Sequence, residues 1–159
     1  MKTTNRLVLK YTTSDDFDEI IKSLDDKYIQ DNVVGLPDNL NVWISNGTKL
    51  TVRLKNNEFV GVMCINEFST TADIGGWCVE KFRGNGYAHE AYNIISEILF
   101  AGGTHKLTAN CIKGNTLAIS LLESLNFAYN TTLKEHAVIG IDYVDILLYE
   151  RFRSLKIHQ

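Results

Sequence analysis

A glycine-rich turn at residues 83–88, which reads Arg-Gly-Asn-Gly-Tyr-Ala, is the stretch of this chain best suited to bind an anion. A predicted strand over residues 72–79 leads into it, and a predicted helix over residues 87–100 leads out. Backbone N–H groups at a helix N-terminus are unpaired, and the helix dipole favours negative charge there. Because glycine has no side chain, an anion can approach the backbone closely, and Arg83 adds a positive charge. The turn therefore predicts a cradle for a phosphate or pyrophosphate.

The turn differs from two common phosphate-binding loops. It contains neither the Gly-Lys-Ser/Thr of a P-loop nor Gly-x-Gly-x-x-Gly. Residues 83–88 do match Arg/Gln-x-x-Gly-x-Gly/Ala. In this the stretch resembles the pyrophosphate loop of the GNAT superfamily of acetyl-CoA-dependent N-acetyltransferases.

Other stretches resemble the same superfamily and follow its order along the chain. Residues 4–10, Thr-Asn-Arg-Leu-Val-Leu-Lys, resemble the opening of the branch that contains ribosomal-protein and spermidine acetyltransferases. Residues 72–77, Ala-Asp-Ile-Gly-Gly-Trp, resemble that branch's Ala-Glu-Ile-Gly-Tyr-Trp. A predicted helix led by Asn115 resembles the second motif, although it ends in Asn126-Phe rather than Gly-Phe. Residues 140–145 resemble a closing stretch, so the resemblance covers nearly the whole chain.

The composition is that of one globular domain spanning residues 1–159. Hydrophobic residues make up 45% and charged residues 22%, and the formal net charge is −3. This charge argues against a nucleic-acid partner bound through its phosphates. No apolar run approaches the roughly 20 residues that span a bilayer, and no signal peptide is apparent. We therefore expect a cytoplasmic protein without membrane contact.

Cysteine and histidine patterns give no sign of a metal site. Cys64, Cys78 and Cys111 lie in apolar, strand-like stretches, and we interpret them as buried, reduced thiols. They lack the paired short spacing of a zinc site, and the four histidines show no ligand spacing. We predict no metal.

The remaining patterns predict an α/β (α+β) chain. Strands are predicted over residues 6–11, 50–54, 58–65, 71–79, 106–111, 130–134 and 143–152. Helices are predicted from a cap at Thr13 or Ser14 through Tyr28, in a short segment capped by Asp38, after the glycine-rich turn, and after Asn115. Gly75 and Gly76 suggest a bulge or a close backbone approach. The resemblance implies the GNAT fold, a mixed, mostly antiparallel, twisted sheet of about seven strands flanked by about four helices.

The same resemblance implies acetyl-CoA as cosubstrate. In this family the glycine-rich turn holds the pyrophosphate, and exposed strand backbone beside a splay in the sheet holds the pantetheine arm. The motif asparagine of the family corresponds to Asn115. An asparagine at this position is equally well explained as the N-cap of the predicted helix. The expected coenzyme-binding residues are Trp77, Cys78, Val79, Arg83, Gly84, Asn85, Gly86, Tyr87, Ala88, Asn115, Ala118 and Leu122.

Acetyl transfer requires an amine that has lost its proton. An alkylamine has a pKa near 10 and arrives charged, so a base or a water chain must take the proton. Asp73 is the first candidate and Glu67 the second, whereas a solvated surface acid is the alternative reading of Asp73. We assign Asp73 and Asn115 as the candidate catalytic residues. His136 could reach the acceptor pocket from the final loop.

The departing thiolate needs a proton or a hydrogen bond, and the residues that supply it in many relatives are missing. The family's tyrosine position corresponds to Leu122 and its serine position to Ala118. Neither side chain can donate. A covalent acetyl-cysteine route through Cys78 is an alternative, but the resemblance favours direct transfer.

We therefore predict an N-acetyltransferase that moves an acetyl group from acetyl-CoA to a primary amine by direct attack in a ternary complex. The acceptor class stays open between a protein N-terminus, a polyamine, an aminoglycoside and a small amine. Trp43 would either line its pocket or cover the core. A non-catalytic acyl-CoA-binding or regulatory GNAT domain is the alternative function. The family is also compatible with a homodimer.

Overall fold

One mixed β-sheet organises the chain in the computed structural model, which describes residues 1–154. Its strands are β1 (Lys2–Thr3), β2 (Leu7–Tyr11), β3 (Thr48–Leu54), β4 (Phe59–Phe68), β5 (Thr71–Cys78), β6 (Lys106–Ile112), β7 (Ala128–Ile139) and β8 (Asp142–Phe152). The helices are α1 (Phe17–Ser23), α2 (Lys27–Asn32), α3 (Leu40–Ser45), α4 (Tyr87–Ala101) and α5 (Thr116–Ser124). Among the described helices, none combines the length and apolar character that a membrane crossing requires.

The sheet has the order β1-β2-β3-β4-β5-β6-β8-β7. Only β5 and β6 run parallel, and all other neighbours are antiparallel. The predicted fold class is therefore confirmed. Within residues 1–154 the sheet has eight strands and the chain five α-helices, where about seven and about four were expected. The two-residue strand β1 is too short to leave a pattern in the sequence.

The extra helix comes from a break in the first predicted helix. The helix expected to run through Tyr28 ends at Ser23, and α2 starts afresh at Lys27. The Asp26 carboxylate accepts hydrogen bonds from the backbone N–H groups of Tyr28 (2.9 Å) and Ile29 (3.3 Å), which starts the new helix. Both segments bury apolar side chains, so hydrophobic spacing alone did not reveal the break.

The short helix α3 was correctly expected, but its cap was not. Asn39, rather than Asp38, precedes the helix, and its side chain accepts from the Val42 N–H. Such one-residue shifts are typical of capping patterns in which neighbouring residues can both cap.

Gly76 allows close approach between β4 and β5. The register of this pair is continuous, so the expected bulge is absent. A Cβ on Gly76 would lie only 2.1 Å from the Val62 carbonyl oxygen, and its φ of +154° is one that L side chains rarely adopt. The expected close backbone approach is therefore confirmed at Gly76, and the alternative of a bulge is not.

The sheet splays open between its two parallel strands. Pairing of β5 with β6 covers only Thr71–Asp73 against Lys106–Thr108. Beyond Asp73, β5 continues along β4 to Cys78, while β6 continues along β8 to Ile112. The two strands therefore form the arms of a V that opens toward the glycine-rich turn.

Two hydrophobic clusters cover the opposite faces of the sheet. The larger contains Ile74 together with Ile95 of α4 and Leu122 of α5. The smaller contains Trp77 together with Ile29 of α2. Residues 74 and 77 of one strand point to opposite faces because strand side chains alternate. Helices α4 and α5 thus lie on one face and α1 to α3 on the other, with the splay between them.

Candidate active site

A cavity of about 920 Å³ occupies the splay. It is bordered by both arms of the V, by α2 and by the N-terminal ends of α4 and α5. Nine of the twelve expected coenzyme-binding residues line it, together with Asp73. The other three, Val79, Asn85 and Leu122, do not, and Leu122 is packed in the core at 3% exposure.

The glycine-rich turn has the geometry of an anion cradle. Gly84 and Gly86 have φ of +74° and +79°, and Gly86 is the N-cap of the 15-residue helix α4. The first N–H groups of a helix have no intrahelical partner, and here no side chain caps them, so they are available to a ligand. A Cβ placed on Gly84 would meet no atom within 4 Å, so the loop backbone is open to a ligand.

Arg83 is more engaged than the sequence suggested. Its Nε donates to the Cys78 carbonyl oxygen (2.9 Å), and its guanidinium pairs with Asp26 and lies 4.5 Å from the centre of the Tyr28 ring. Burial raises the pKa of Asp26, but the hydrogen bonds from Arg83 and from backbone N–H groups outweigh it and hold that pKa below its ordinary value. The positive charge of Arg83 is therefore partly neutralised by Asp26, the N-cap residue of α2.

A second arginine, Arg6, lies against the same turn. Its Nη1 donates to the Asn85 carbonyl oxygen (2.8 Å), its guanidinium lies 4.4 Å from the centre of the Tyr87 ring, and its Nε pairs with Glu90 (2.7 Å). The sequence placed Arg6 only within the resembling stretch 4–10, and its contact with the turn was missed. Arg6 and Glu90 tie the start of β2 to the start of α4.

The open edge of β5 presents backbone donors to the cavity. The Val79 N–H donates to the Val60 carbonyl oxygen on β4 (2.9 Å). Because backbone groups of successive strand residues point to opposite sides, the N–H groups of Gly76 and Cys78 point into the splay. Such a donor can polarise a carbonyl of a bound ligand.

The Cys78 thiol is unsuited to covalent catalysis. Burial raises its pKa to about 11, and the nearby Arg83 lowers it only in part. The thiol is therefore protonated at neutral pH and is a poor nucleophile. This observation argues against the acetyl-cysteine alternative.

Asn115 connects the start of α5 to α2. Its Oδ1 accepts hydrogen bonds from the Ala118 N–H (3.2 Å) and from the Tyr28 hydroxyl (2.9 Å), and the residue is 8% exposed. The helix-capping interpretation is thus confirmed. With Oδ1 engaged twice, Nδ2 is the group that can donate to a ligand.

Tyr28 was missed as a site residue. Its hydrophobic spacing suggested a buried helix face, yet it crosses the mouth of the splay between Arg83 and Asn115. The partners lie 55 and 87 positions further along the chain, so no local signal marks the role. A second phenol, Tyr92 of α4, also lines the cavity, and burial together with the nearby Cys64 and Asp73 raises its pKa.

Asp73 lies at the apex of the V. Its Oδ1 accepts a hydrogen bond from the Thr108 hydroxyl on β6 (2.8 Å). Burial raises the pKa of Asp73 above its ordinary value, and the Thr108 hydrogen bond offsets only part of this. Glu67, the other candidate base, is exposed and does not line the cavity.

Three further side chains were of interest in the sequence, and two of them line the cavity. Trp43 packs against Trp77 of the smaller cluster, with ring centres 5.8 Å apart, and it also lines the cavity. His136 also lines the cavity. Asp145, which does not line the cavity, accepts hydrogen bonds from the Glu135 N–H (2.9 Å) and from Lys134 (3.2 Å) and is thus a paired acid. Within residues 1–154, no group of three or more His, Cys, Asp or Glu side chains is placed to hold a metal ion.

The fold is shared with solved acetyltransferase structures. Spermidine N-acetyltransferase from Vibrio cholerae, solved with CoA and spermine, is 17% identical and superposes with a TM-score of 0.83 over 94% of this chain and 97% of that one. Ribosomal-protein-S5-alanine acetyltransferase from Vibrio fischeri is 15% identical, with a TM-score of 0.82 over 96% of each chain. A GNAT-family acetyltransferase from Bacillus anthracis is 17% identical, with a TM-score of 0.82 over 95% and 97%.

At these identities the superpositions establish the fold alone. No curated protein matches the chain. The model of the acetyltransferase (GNAT) domain matches residues 6–128, which include the glycine-rich turn, the splay and the start of α5. Since this match spans well over half of the chain and the observed fold agrees with it, the protein belongs to the GNAT family of acetyltransferases.

Proposed function

We propose that the protein transfers an acetyl group from acetyl-CoA to a primary amine. One observation carries this proposal: the uncapped start of α4, the open edge of β5 and the half-buried carboxylate of Asp73 all face one cavity. The first two can hold an acyl-coenzyme, and the third can take a proton from an amine.

The coenzyme would bind along β5 and the glycine-rich turn. The free N–H groups at the start of α4 would hold the pyrophosphate, with Arg6 and Arg83 beside it. The Nδ2 group of Asn115 would donate to the pantetheine arm. Acetyl-CoA supplies the acetyl group as a thioester, and the Cys78 N–H would donate to the thioester carbonyl oxygen.

Asp73 would prepare the acceptor. As a carboxylate it would take one proton from the ammonium form of the acceptor and release it to solvent. Its raised pKa makes it a better match for this task than an exposed carboxyl. The neutral amine would then attack the thioester carbonyl, forming the new C–N bond as the C–S bond breaks.

Tyr28 would supply the hydrogen-bond donor that Leu122 and Ala118 lack. Its hydroxyl lies at the mouth of the splay, 2.9 Å from Asn115 Oδ1. On coenzyme binding the hydroxyl would turn from Asn115 toward the sulfur and give its proton to the departing thiolate. The attacking nitrogen would lose its second proton to solvent and the phenol would regain one from solvent, so that one proton in all, the one taken by Asp73, is released per turnover.

Replacing Tyr28 with phenylalanine is expected to lower kcat about a hundredfold and to change the dissociation constant of acetyl-CoA less than threefold. A positioned acid contributes about 10² to 10⁴ in rate, and a thiolate is a good leaving group, so the lower end applies. Steady-state kinetics and calorimetric binding measure the two quantities.

Tyr92→Phe is the matched control, because Tyr92 lines the same cavity. We expect it to change kcat less than threefold. A larger loss in Tyr92→Phe than in Tyr28→Phe would assign the donor to Tyr92 and contradict the role of Tyr28.

A non-catalytic acyl-CoA-binding domain is the second candidate function. The observation in its favour is that the family's two donor positions are the core residue Leu122 and the methyl side chain of Ala118. The coenzyme site described above would serve this function equally well.

Ligand-dependent unfolding followed by an amine screen tests both candidates. A ligand that binds only the folded state at a hundredfold above its dissociation constant stabilises by about 2.7 kcal/mol, which raises Tm by about 5–10 °C at this size. We expect acetyl-CoA to give such a shift, adenosine diphosphate a smaller one, and acetyl transfer to follow with some amine. A shift without transfer to any amine class would favour the binding domain. No shift would exclude both.

A further inference from the structure

The charges that line the cavity constrain the acceptor. Among the described lining residues, Asp73 is the only carboxylate, whereas Lys49 and Arg83 are basic. Arg83 is paired with Asp26 and lies beside the glycine-rich turn. A polyamine would bring several ammonium groups to one carboxylate and one free lysine. Electrostatic complementarity therefore opposes a polycationic acceptor.

Lys49 is a buried cation without a carboxylate partner in the described part of the chain. It lies on β3 and is only 7% exposed. Its Nζ donates to the Asn46 carbonyl oxygen and lies 5.3 Å from the centre of the Trp43 ring. No carboxylate among residues 1–154 lies within 4.0 Å of it. An ammonium has three N–H donors, so further donors are available to a ligand.

A buried charge without a partner of opposite charge destabilises the folded state, so its presence suggests a role in binding a ligand. Removing an ammonium from water is unfavourable unless an opposite charge or several hydrogen bonds compensate. One carbonyl and one aromatic ring compensate Lys49 only in part. An anionic group on a bound ligand would complete the compensation.

Lys49 and Asp73 share one face of the sheet. Lys49 pairs with Cys64, and Cys64 pairs with Gly75. Asp73 lies two residues before Gly75, so its side chain points to the same face. The two charged residues are two strand spacings apart, roughly 10 Å across the sheet at the backbone.

The wall between these charges is apolar and aromatic. Cys64 lies between them, and both Lys49 and Asp73 act on the pKa of its thiol, which burial raises to about 11. Trp43 and Val33 line the side formed by α2, α3 and the segment between them. A ligand here would meet a cation at one end, a carboxylate at the other and apolar surface between.

We propose that Lys49 binds an anionic group of the acceptor, and that the acceptor is a small amine that also carries a carboxylate, as an amino acid does. The amine would face Asp73 and the splay, and the carboxylate would face Lys49. This inference rests on the proposed acetyl transfer and narrows its acceptor class. A polyamine and a protein N-terminus are the competing acceptors.

Matched acceptor pairs test the proposal on the full-length protein. Each pair consists of an amino acid and the amine left after removing its carboxylate, such as phenylalanine with phenethylamine and leucine with isoamylamine. Spermidine and an alanine-starting peptide complete the panel. We expect kcat/KM to be at least about tenfold higher for the amino acid of each pair, since an ion pair in a partly desolvated site is lost without the carboxylate.

Lys49→Met is expected to remove this preference, because methionine has nearly the same shape without the charge. Lys49→Arg should retain most of it. Lys10→Met, at an exposed position on β2, is the matched control and should leave the preference unchanged. The dissociation constant of acetyl-CoA, measured by calorimetry, should be the same in all four proteins, which separates acceptor effects from coenzyme effects.

Binding gives a second measurement that does not depend on turnover. Titrating phenylalanine and leucine into the CoA-saturated protein should give a dissociation constant in the millimolar range or below in the wild type and in Lys49→Arg, and weaker binding in Lys49→Met. Preference for spermidine or the peptide, or equal kcat/KM within the pairs, would overturn the inference while leaving acetyl transfer intact. Absence of acetyl-CoA binding would instead remove the proposed function, and this inference with it.

Discussion

Asp73→Asn is expected to lower kcat/KM for the amine acceptor about a hundredfold or more at neutral pH. Asparagine keeps the size of the side chain and can still accept the Thr108 hydrogen bond, but it cannot take up a proton. A positioned general base typically contributes about 10² to 10⁴ in rate. Steady-state kinetics with saturating acetyl-CoA measures the loss.

The pH dependence of the rate gives a second test of Asp73 as the base. The base works only when deprotonated, so activity should rise with pH through the pKa of Asp73. Because burial raises that pKa, the acidic limb should lie at higher pH than for an exposed carboxyl. Thr108→Val removes the hydrogen bond that favours the charged form, so it should move the limb to still higher pH.

Glu67→Gln is the control, because Glu67 is an exposed acid on the neighbouring strand β4 that does not line the cavity. It should leave both the rate and the pH profile unchanged. If Asp73→Asn retains the acidic limb of the wild type, the base lies elsewhere and Asp73 is a structural acid of the splay.

Gly84→Glu is expected to weaken acetyl-CoA binding at least about a hundredfold. The new side chain would start from the cradle backbone, where a Cβ has no neighbour within 4 Å in the free protein. It would place a carboxylate where the pyrophosphate would bind. Two unit charges of like sign about 4 Å apart repel by about 4 kcal/mol near a protein surface, and salt reduces this value. Calorimetry at two salt concentrations measures the affinity and its screening.

Two variants separate charge from shape and from backbone strain. Gly84→Gln has the same size and the same left-handed φ of +74° but no charge, so it should bind acetyl-CoA more tightly than Gly84→Glu. Gly140→Glu places the same side chain at a left-handed glycine (φ +61°) in the β7–β8 turn, outside the cavity, and should bind like the wild type. Unchanged affinity in Gly84→Glu would show that the turn does not hold the coenzyme.

The glycine-rich turn was legible in the sequence because its chemistry is local. Two glycines with positive φ, an uncapped helix start and a preceding strand all lie within a few residues of one another. The backbone groups of the turn are positioned by residues that are neighbours in the sequence and not by contacts with distant parts of the chain. The same locality explains why most strands and helices were predicted.

Local sequence patterns gave wrong helix ends where the same residues were compatible with two positions of a helix boundary. Helical spacing continued from Phe17 to Tyr28, so the break at Asp26 was invisible until the cap and its partner Arg83 were seen. Capping of α3 moved by one residue for a similar reason. Both errors concern ends of elements, where side-chain contacts from elsewhere in the chain decide the boundary.

The tertiary structure alone decided which side chains meet in the cavity. Tyr28 reaches Asn115 across 87 positions, and Thr108 reaches Asp73 across 35 positions. Lys49, on β3, has no carboxylate partner among residues 1–154. These contacts depend on strand register and on how α2 packs across the splay, neither of which leaves a periodic trace in the sequence. The family, the fold class and the glycine-rich turn could therefore be recognised from the sequence, because these rest on contiguous stretches of backbone. Which side chains meet in the cavity depends instead on long-range packing, because they belong to different elements.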